Sequence, residues 1–200
     1  MKIALFGGTF DPIHLGHLIV LENSINELDL DKIILLPTAN APHKLNNKKT
    51  DIETRIKMCF EAVKDNDKLL ISSYESQKEV SYTFETLDYF KRQFPNDDIY
   101  YIMGEDSFLN IETWKQYKKI LYENNIIVFS RYFNYTTNPS LIEKLNEYRN
   151  NGAKIFFLDN VSTTISSTLI RQLVKSKKSI KYLVTSEVEN IIKERRLYVD

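Results

Sequence analysis

Glycine is scarce in this chain, and its distribution constrains the backbone most strongly near the start. Three of the five glycines, Gly7, Gly8 and Gly16, fall within the first sixteen positions. Residues 3–6 are apolar and predict a short buried strand, which the glycine pair ends because glycine favours turns. From residue 14 to residue 28 apolar side chains recur at helical spacing. The predicted first unit is therefore a strand, a glycine turn and a helix.

The alternation of strand and helix continues along most of the chain. Further strands are predicted at residues 32–36, 69–72, 99–103, 126–130 and 154–158, and helices from about 51 and at 82–94, 113–122 and 141–148. This order favours an α/β fold with a mostly parallel sheet and helices on both faces. Such sheets bind ligands beyond the carboxyl ends of their strands. Gly7, the loop after Pro37 and Gly104 all follow predicted strand ends.

The end of the chain has a different pattern. Residues 166–174 and 187–194 predict two helices with no clear strand between them. We expect a single domain over residues 1–200, in which residues from about 160 to 200 form a small C-terminal helical subdomain packed on the sheet.

Charge and cysteine content exclude several classes of protein. Lys plus Arg and Asp plus Glu each number 27, so the net charge is zero, and the global electrostatics that favour nucleic acid or anionic membranes are missing. The longest strongly apolar run, residues 33–36, is far shorter than the roughly 20 residues of a membrane helix. The lone Cys59 excludes an internal disulfide framework and fits a cytoplasmic location. It lies on a predicted apolar stripe with Ile52, Ile56 and Val63, as an inert core thiol.

The first motif with chemical potential is GGTFDPIHLGH at residues 7–17. It matches neither the dinucleotide fingerprint nor the P-loop. Its H-x-G-H part places His14 and His17 on one face near a helix N-terminus, where backbone amides favour anions. Gly16 between them is expected to let a ligand approach the backbone closely. The alternatives are two surface histidines or a metal site, but His43 is the only other histidine in the sequence.

A second motif, residues 165–171, begins another predicted helix. Ser166 or Ser167 is a good N-cap, so the first amides of the helix form a further anion site. Arg171 lies one turn later on the same face, where its guanidinium can bind a phosphate at the cap. The alternative is a capped structural helix with a surface arginine.

These motifs resemble known signatures. Residues 7–17 resemble the signature of the H-x-G-H nucleotidyltransferase superfamily, and Ile165–Arg171 resembles the I-S-S-T-x-I-R element of its adenylyltransferase branch. Similarity to the bacterial nicotinate-nucleotide adenylyltransferase family covers about residues 1–198. The elements that carry it are Asn40, Pro42-His43-Lys44, Ser81-Tyr82-Thr83, Gly104-Glu105-Asp106, Trp114, Arg131 and Tyr182-Leu183-Val184.

The resemblance implies a Rossmann-like enzyme that transfers AMP from ATP to nicotinate mononucleotide. It implies catalytic roles for His14 and His17. The implied ATP-binding residues, besides the two histidines, are Gly8, Thr9, Phe10, Gly104, Asp106, Ser166, Ser167 and Arg171. The implied acceptor-binding residues are Asn40, Lys44, Thr83, Trp114 and Lys115. Mg²⁺ is expected on the triphosphate, where it needs few protein carboxylates, so no metal-ligand motif is expected.

Several alternatives stay open at this stage. The acceptor could be nicotinamide mononucleotide or phosphopantetheine, or the chain could be a nucleotide sensor without catalysis. Trp114 is either a core residue or a platform for a pyridine ring. Thr83 could be a helix cap, a role that can coexist with the binding of a carboxylate by free amides at the helix start. Lys115 stands where the family often has an aromatic residue, and its charge could assist that carboxylate. The sequence also leaves open whether the chain forms a homo-oligomer.

Overall fold

A parallel sheet forms the centre of the protein in the computed structural model, which describes residues 1–39, 49–130, 138–159 and 163–199. The strands are β1 (Lys2–Gly8), β2 (Lys32–Pro37), β3 (Leu69–Ile71), β4 (Asp98–Gly104), β5 (Asn125–Phe129) and β6 (Lys154–Leu158). Their order in the sheet is β3-β2-β1-β4-β5-β6, and every neighbouring pair is parallel. The prediction of a Rossmann-like α/β fold is confirmed.

The helices of the described residues are α1 (Leu15–Leu28), α2 (Ile52–Val63), α3 (Thr83–Gln93), α4 (Glu105–Leu109), α5 (Tyr117–Tyr122), α6 (Pro139–Asn150), α7 (Ser167–Lys175) and α8 (Ser186–Glu194). A single 3₁₀ turn, Ile111–Thr113, precedes α5. The short α4 has no counterpart among the predicted elements, because five residues are too few to show helical periodicity. The predicted helix at 113–122 begins only at Tyr117.

Helices cover both faces of the sheet, as alternation along β1 shows. Ala4 and Phe6 belong to one buried cluster, while Ile3 and Leu5 belong to the other. Side chains of α1, α2, α7 and α8 pack in the first cluster, and those of α3, α5 and α6 pack in the second. The C-terminal helices therefore contribute to the same core as the sheet. The division into a main domain and a C-terminal subdomain stays a prediction.

Helix α2 buries only part of the predicted apolar stripe. Cys59 and Val63 are buried as predicted, whereas Ile52 and Ile56 are only half-buried. Arg55 lies on the buried face as well, because its guanidinium finds backbone acceptors inside the protein. Cys59 is fully buried, and burial raises the pKa of its thiol, which agrees with an inert core residue. Within the described ranges, no helix is long and apolar enough to cross a membrane.

A stability test follows from the position of β2 inside the sheet. Leu35 is fully buried in the first cluster, whereas Leu70 on the edge strand β3 is 44% exposed. Leu35→Ala is expected to lower the free energy of unfolding by about 2–5 kcal/mol, since it leaves a cavity in the core. Leu70→Ala is the control and should cost about 1 kcal/mol or less, because less buried apolar area is lost. Urea unfolding of both variants checks this, and equal losses would contradict the described packing.

Candidate active site

Two adjoining cavities lie at the carboxyl edge of the sheet, beside the switch point between β1 and β4. The histidine chamber is a cavity of about 450 Å³ between the end of β1, the start of α1 and the start of α7. The aromatic chamber is a cavity of about 850 Å³ between the end of β1, the start of α3 and Trp114. The two chambers share five lining residues: Gly7, Gly8, Thr9, Asp106 and Ser107. Ligands in the two chambers would therefore meet at the end of β1.

The two histidines of the H-x-G-H motif are stacked in the histidine chamber. Their ring centroids are 3.6 Å apart, with an interplanar angle of 21°. His14 is the N-cap of α1: its Nδ1 accepts from the backbone N–H of His17 at 3.3 Å, and Nδ1 of His17 accepts from the N–H of His14 at 3.2 Å. In this geometry Nδ1 of each ring is the acceptor, which leaves Nε2 as the nitrogen that can carry a proton toward the chamber. Each imidazole can donate that proton in a hydrogen bond to an anion.

Gly16 has a packing role at the start of α1. A Cβ at this position would lie 3.0 Å from His14 Nδ1 and 3.0 Å from Thr163 Cγ2. A side chain at position 16 would therefore crowd groups of the protein itself, and close approach of a ligand to this backbone stays a prediction. Glycine is needed so that the His14 ring can fold back over the first turn of α1.

The Phe10 ring packs against the ring of His17. This phenyl ring is 2% exposed and lies edge-on to His17, with centroids 5.2 Å apart. A Cβ at Gly8 would come within 2.8 Å of the same ring. The ring is therefore part of the core, so Phe10 would contact ATP through its backbone atoms.

The serines and the arginine of the second motif bind protein groups at the start of α7. Ser166 is the N-cap and accepts from the N–H of Leu169 at 3.2 Å. The Ser167 hydroxyl donates to the carbonyl of Pro12 at 2.8 Å. Arg171 donates from Nη1 to the carbonyl of Asp11 at 2.8 Å. Both motifs meet at the histidine chamber, as predicted, but these bonds also tie α7 to the turn after β1.

A buried arginine, Arg55, holds the same turn from the other side. Its Nη1 donates to the carbonyls of Thr9 at 2.6 Å and Thr38 at 2.8 Å, and its Nε donates to the carbonyl of Thr50 at 2.9 Å. Burial lowers the pKa of Arg55, while the nearby Asp11 carboxylate opposes that change. Sequence reasoning missed this residue. The signal that could have found it is a cation within an apolar helical stripe.

Tyr198 joins the end of the described chain to the turn. Its hydroxyl donates to Oδ1 of Asp11 at 2.6 Å, and the Thr50 N–H donates to Oδ2 at 3.3 Å. Asp11 is 6% exposed, so its carboxylate depends on these partners. Residues 9–12 are thus held by three distant parts of the chain: α2, α7 and the C-terminal segment. The side chains that hold them are Arg55, Ser167, Arg171 and Tyr198.

The start of α3 forms one wall of the aromatic chamber. Tyr82 is the N-cap but makes no side-chain capping bond, and Thr83 is the first helical residue. The alternative that Thr83 caps the helix is therefore wrong. An N-terminus without a side-chain cap presents backbone amides, which favour a carboxylate or phosphate.

Trp114 and Lys115 also line this chamber. Trp114 is half-buried and lies edge-on to Tyr101, with ring centroids 6.4 Å apart. Its ring can therefore pack against both protein and ligand. The Lys115 ammonium lies 4.5 Å from the centroid of the Tyr82 ring, which keeps a positive charge beside the start of α3.

Gly104 and Asp106 lie where β4 leads into α4. Gly104 ends the strand and is the N-cap of α4, and Asp106 is an exposed side chain that lines both chambers. Glu105 between them is buried, accepts from the Ser130 hydroxyl at 2.7 Å and contacts Asn138. Asn40 and Lys44, expected at the acceptor, lie outside the described residues, as do His43 and Arg131. Among the residues that are described, no group of three or more His, Cys, Asp or Glu could hold a metal ion.

Comparisons with known proteins agree with this geometry. The family model described as cytidylyltransferase-like matches residues 5–173. A probable nicotinate-nucleotide adenylyltransferase of Clostridium tetani is 40% identical over 198 residues, which is 98% of each chain. That of Clostridium acetobutylicum is 41% identical, over 99% of each chain. The chain belongs to the cytidylyltransferase-like family, in its nicotinate-nucleotide adenylyltransferase branch.

Solved structures show that the whole fold is shared within this family. Plasmodium falciparum nicotinic acid mononucleotide adenylyltransferase complexed with NaAD has a TM-score of 0.80 to this chain, at 23% identity, and the match covers 98% of this chain and 97% of that one. A Vibrio parahaemolyticus protein described as a putative nicotinate-nucleotide adenylyltransferase has a TM-score of 0.69 at 21% identity, covering 100% of this chain and 97% of that one. The arrangement of sheet and helices is therefore that of these adenylyltransferases.

The bond between Tyr198 and Asp11 can be tested by its effect on stability. Tyr198→Phe keeps the ring but removes the hydroxyl, and it is expected to lower the free energy of unfolding by about 1.5–3 kcal/mol, as for a hydrogen bond to a charged group. Tyr182→Phe is the control, since Tyr182 is 77% exposed; it should change stability by less than about 0.5 kcal/mol. Thermal or urea unfolding measures both. A neutral Tyr198→Phe would show that the bond does not hold the turn.

Proposed function

We propose that the protein transfers AMP from ATP to nicotinate mononucleotide, giving nicotinate adenine dinucleotide and pyrophosphate in NAD biosynthesis. The observation that carries this proposal is the shared wall at Gly8 and Thr9, where a chamber with two histidines adjoins a chamber with an aromatic platform. One ligand's reactive phosphate can there lie beside the other's. Full-length similarity to probable nicotinate-nucleotide adenylyltransferases supports the same activity.

The reaction needs no covalent enzyme intermediate. A phosphate oxygen of the mononucleotide attacks the α-phosphorus of ATP, a new P–O bond forms, and the bond to the leaving pyrophosphate breaks. The protein accelerates this step by holding donor and acceptor in line and by stabilising charge that develops on the α-phosphate. We assign ATP to the histidine chamber and the mononucleotide to the aromatic chamber.

In this assignment His14 and His17 stabilise the triphosphate with their Nε2–H groups. Both rings are held by the backbone of α1, so the donors are oriented before substrate arrives. His17 is placed nearest the transition state, and the two rings share the charge of the α-phosphate region. Because Nδ1 of each ring accepts from the backbone, Nε2 is the atom that donates to the phosphate.

The remaining ATP contacts follow from the walls of the histidine chamber. Arg171 and the first amides of α7, at Ser166 and Ser167, hold the triphosphate tail, while Gly104 and Asp106 border the adenosine. The backbone of Gly8, Thr9 and Phe10 faces the reacting phosphates. Mg²⁺ on the triphosphate would keep most of its water shell and supply charge neutralisation, and Asp106 is the exposed carboxylate that would meet that shell.

The acceptor contacts follow from the aromatic chamber. Trp114 stacks on the pyridine ring, and the first amides of α3 at Thr83 receive its carboxylate. Lys115 adds positive charge at that end. Roles for Asn40 and Lys44 stay predictions, as do a cytoplasmic location, a homo-oligomeric state and the absence of nucleic-acid and membrane partners.

The choice of acceptor tests the proposal directly. A carboxylate only accepts hydrogen bonds, whereas the amide of nicotinamide mononucleotide also presents N–H donors, which would oppose the amides of α3. One buried mismatch costs about 1–3 kcal/mol, so kcat/KM is expected to favour the acid about tenfold to hundredfold. Pyrophosphate release from ATP, assayed with the acid, the amide and phosphopantetheine in parallel, measures this. Equal kcat/KM for acid and amide would contradict acid specificity, and no release with any acceptor would favour a nucleotide sensor.

The role of His17 is tested by separating binding from catalysis. His17→Ala removes an oriented donor near the developing charge and is expected to lower kcat by about 10²-fold or more. Phe10 and Phe6 support the ring from the core, so unfolding should be measured on the same variant. His17→Gln, which keeps a donor, is expected to retain more activity. If His17→Ala only raised the KM for ATP, His17 would be a binding residue without a part in the transition state.

A further inference from the structure

A buried carboxyl, Glu75, lies in the wall of the aromatic chamber and has no part in the reaction as described so far. Its side chain is 4% exposed and lines the same cavity as Thr83 and Trp114. The Thr86 hydroxyl donates to its Oε1 at 2.8 Å, and the Ser81 hydroxyl donates to its backbone carbonyl at 3.0 Å. The carboxyl is therefore held in a defined position by α3 and by the segment that precedes it.

Glu75 is close to the floor of the chamber at the end of β1. A Cβ built on Gly7 would lie 3.8 Å from Oε2 of Glu75 and 3.0 Å from the hydroxyl oxygen of Tyr101. The same Tyr101 oxygen is 3.5 Å from Oγ1 of Thr83. A short row of polar groups thus crosses the floor, from the start of α3 to Glu75.

The two ends of this row differ in charge. One end has the backbone amides of α3 and the Lys115 ammonium, which favour an anion. The other end has the Glu75 carboxyl, which lies beside Thr86, one turn into α3. Burial raises the pKa of this carboxyl, although hydrogen bonds from Thr86 and Thr38 and the charge of Lys78 lower it. A cation placed beside Glu75 would favour its ionised form and would in turn be stabilised by it.

A nicotinate nucleotide matches this polarity. Its ring nitrogen carries the ribose and is formally positive, while its carboxylate is negative, so the ring system is a zwitterion. We propose that Glu75 is a specificity-determining residue that recognises the positive charge of the pyridinium ring, opposite the carboxylate held at the start of α3. This rests on the function proposed above. It assigns acid-versus-amide selection to α3 and selection of a cationic ring to Glu75.

The test compares two ligands on two forms of the full chain. The first ligand is nicotinate mononucleotide, and the second is its neutral-ring analogue, in which a carboxyphenyl group is joined to the ribose phosphate through carbon. Titration calorimetry of the unmodified protein should show about tenfold or greater preference for the pyridinium ligand, as expected for a charged hydrogen-bonded contact. Glu75→Gln keeps the shape and an acceptor for Thr86, and it should reduce that preference to about twofold or less. The KM for ATP should stay the same.

A structural role would give a different result. If Glu75→Gln weakened both ligands equally, or changed neither, the proposal would be overturned. Glu85→Gln is the matched control. Glu85 lies in the first turn of α3, the helix that carries Thr86, but it pairs with Lys78 at 3.5 Å and does not line the chamber. This variant should leave the preference for the pyridinium ligand intact.

A second variant covers the case in which Glu75→Gln does not fold. Thr86→Val removes the hydroxyl that orients Glu75 while keeping the side-chain shape and the carboxyl itself, and it should lower the preference for the pyridinium ligand at least about threefold. An unchanged preference in that variant would overturn the proposal. Pyrophosphate release by the unmodified protein with nicotinate mononucleotide tests the proposed function separately. The proposed reaction and the proposed role of Glu75 can therefore fail independently.

Discussion

The buried guanidinium of Arg55 is the contact on which the rest of the site depends. It binds carbonyls at the end of β1, at the end of β2 and just before α2, so three chain segments meet at one cation. An unpaired cation at 2% exposure would be costly, and the nearby Asp11 carboxylate together with three carbonyls reduces that cost. The same Asp11 is held by Tyr198, and its carbonyl by Arg171. The turn at residues 9–12, between the two chambers, is thereby held by α2, by α7 and by Tyr198.

The sheet order explains why that turn is placed where two ligands can meet. β1 lies between β2 and β4, and the chain crosses to opposite faces of the sheet from these two neighbours. The loops after β1 and β4 therefore separate and leave a crevice, as in other open parallel sheets. α1 and α7 close the crevice on one face, and α3 closes it on the other. Each of these helices presents its N-terminus, so the fold itself supplies positive ends for phosphate and carboxylate groups.

Prediction from sequence succeeded where the signal is local. The histidines three residues apart meet at the start of α1, where His14 is the N-cap and each ring accepts a hydrogen bond from the other residue's backbone amide. Ser166 behaves as an N-cap for the same local reason. Prediction failed where contacts are distant in the chain. Arg55 reaches a carbonyl 46 positions away, and Tyr198 reaches a carboxylate 187 positions away. Nothing in the neighbouring residues encodes such partners, and the contact of Gly16 with Thr163 is equally distant in the chain.

The sequence by itself determined the alternation of strands and helices, the parallel sheet and the two motifs near helix starts, because hydrophobic periodicity and capping residues act over a few positions; the predicted turn at Gly7-Gly8 was wrong, since both glycines belong to β1. Only the tertiary structure decided what those motifs face. It joined two cavities at Gly8 and Thr9, tied Ser167 to Pro12, and placed the Glu75 carboxyl beside Thr86 of α3 in the wall of the aromatic chamber. These arrangements depend on how separate segments pack around buried charges, where each charge must find acceptors or partners that only the folded chain brings within hydrogen-bond distance.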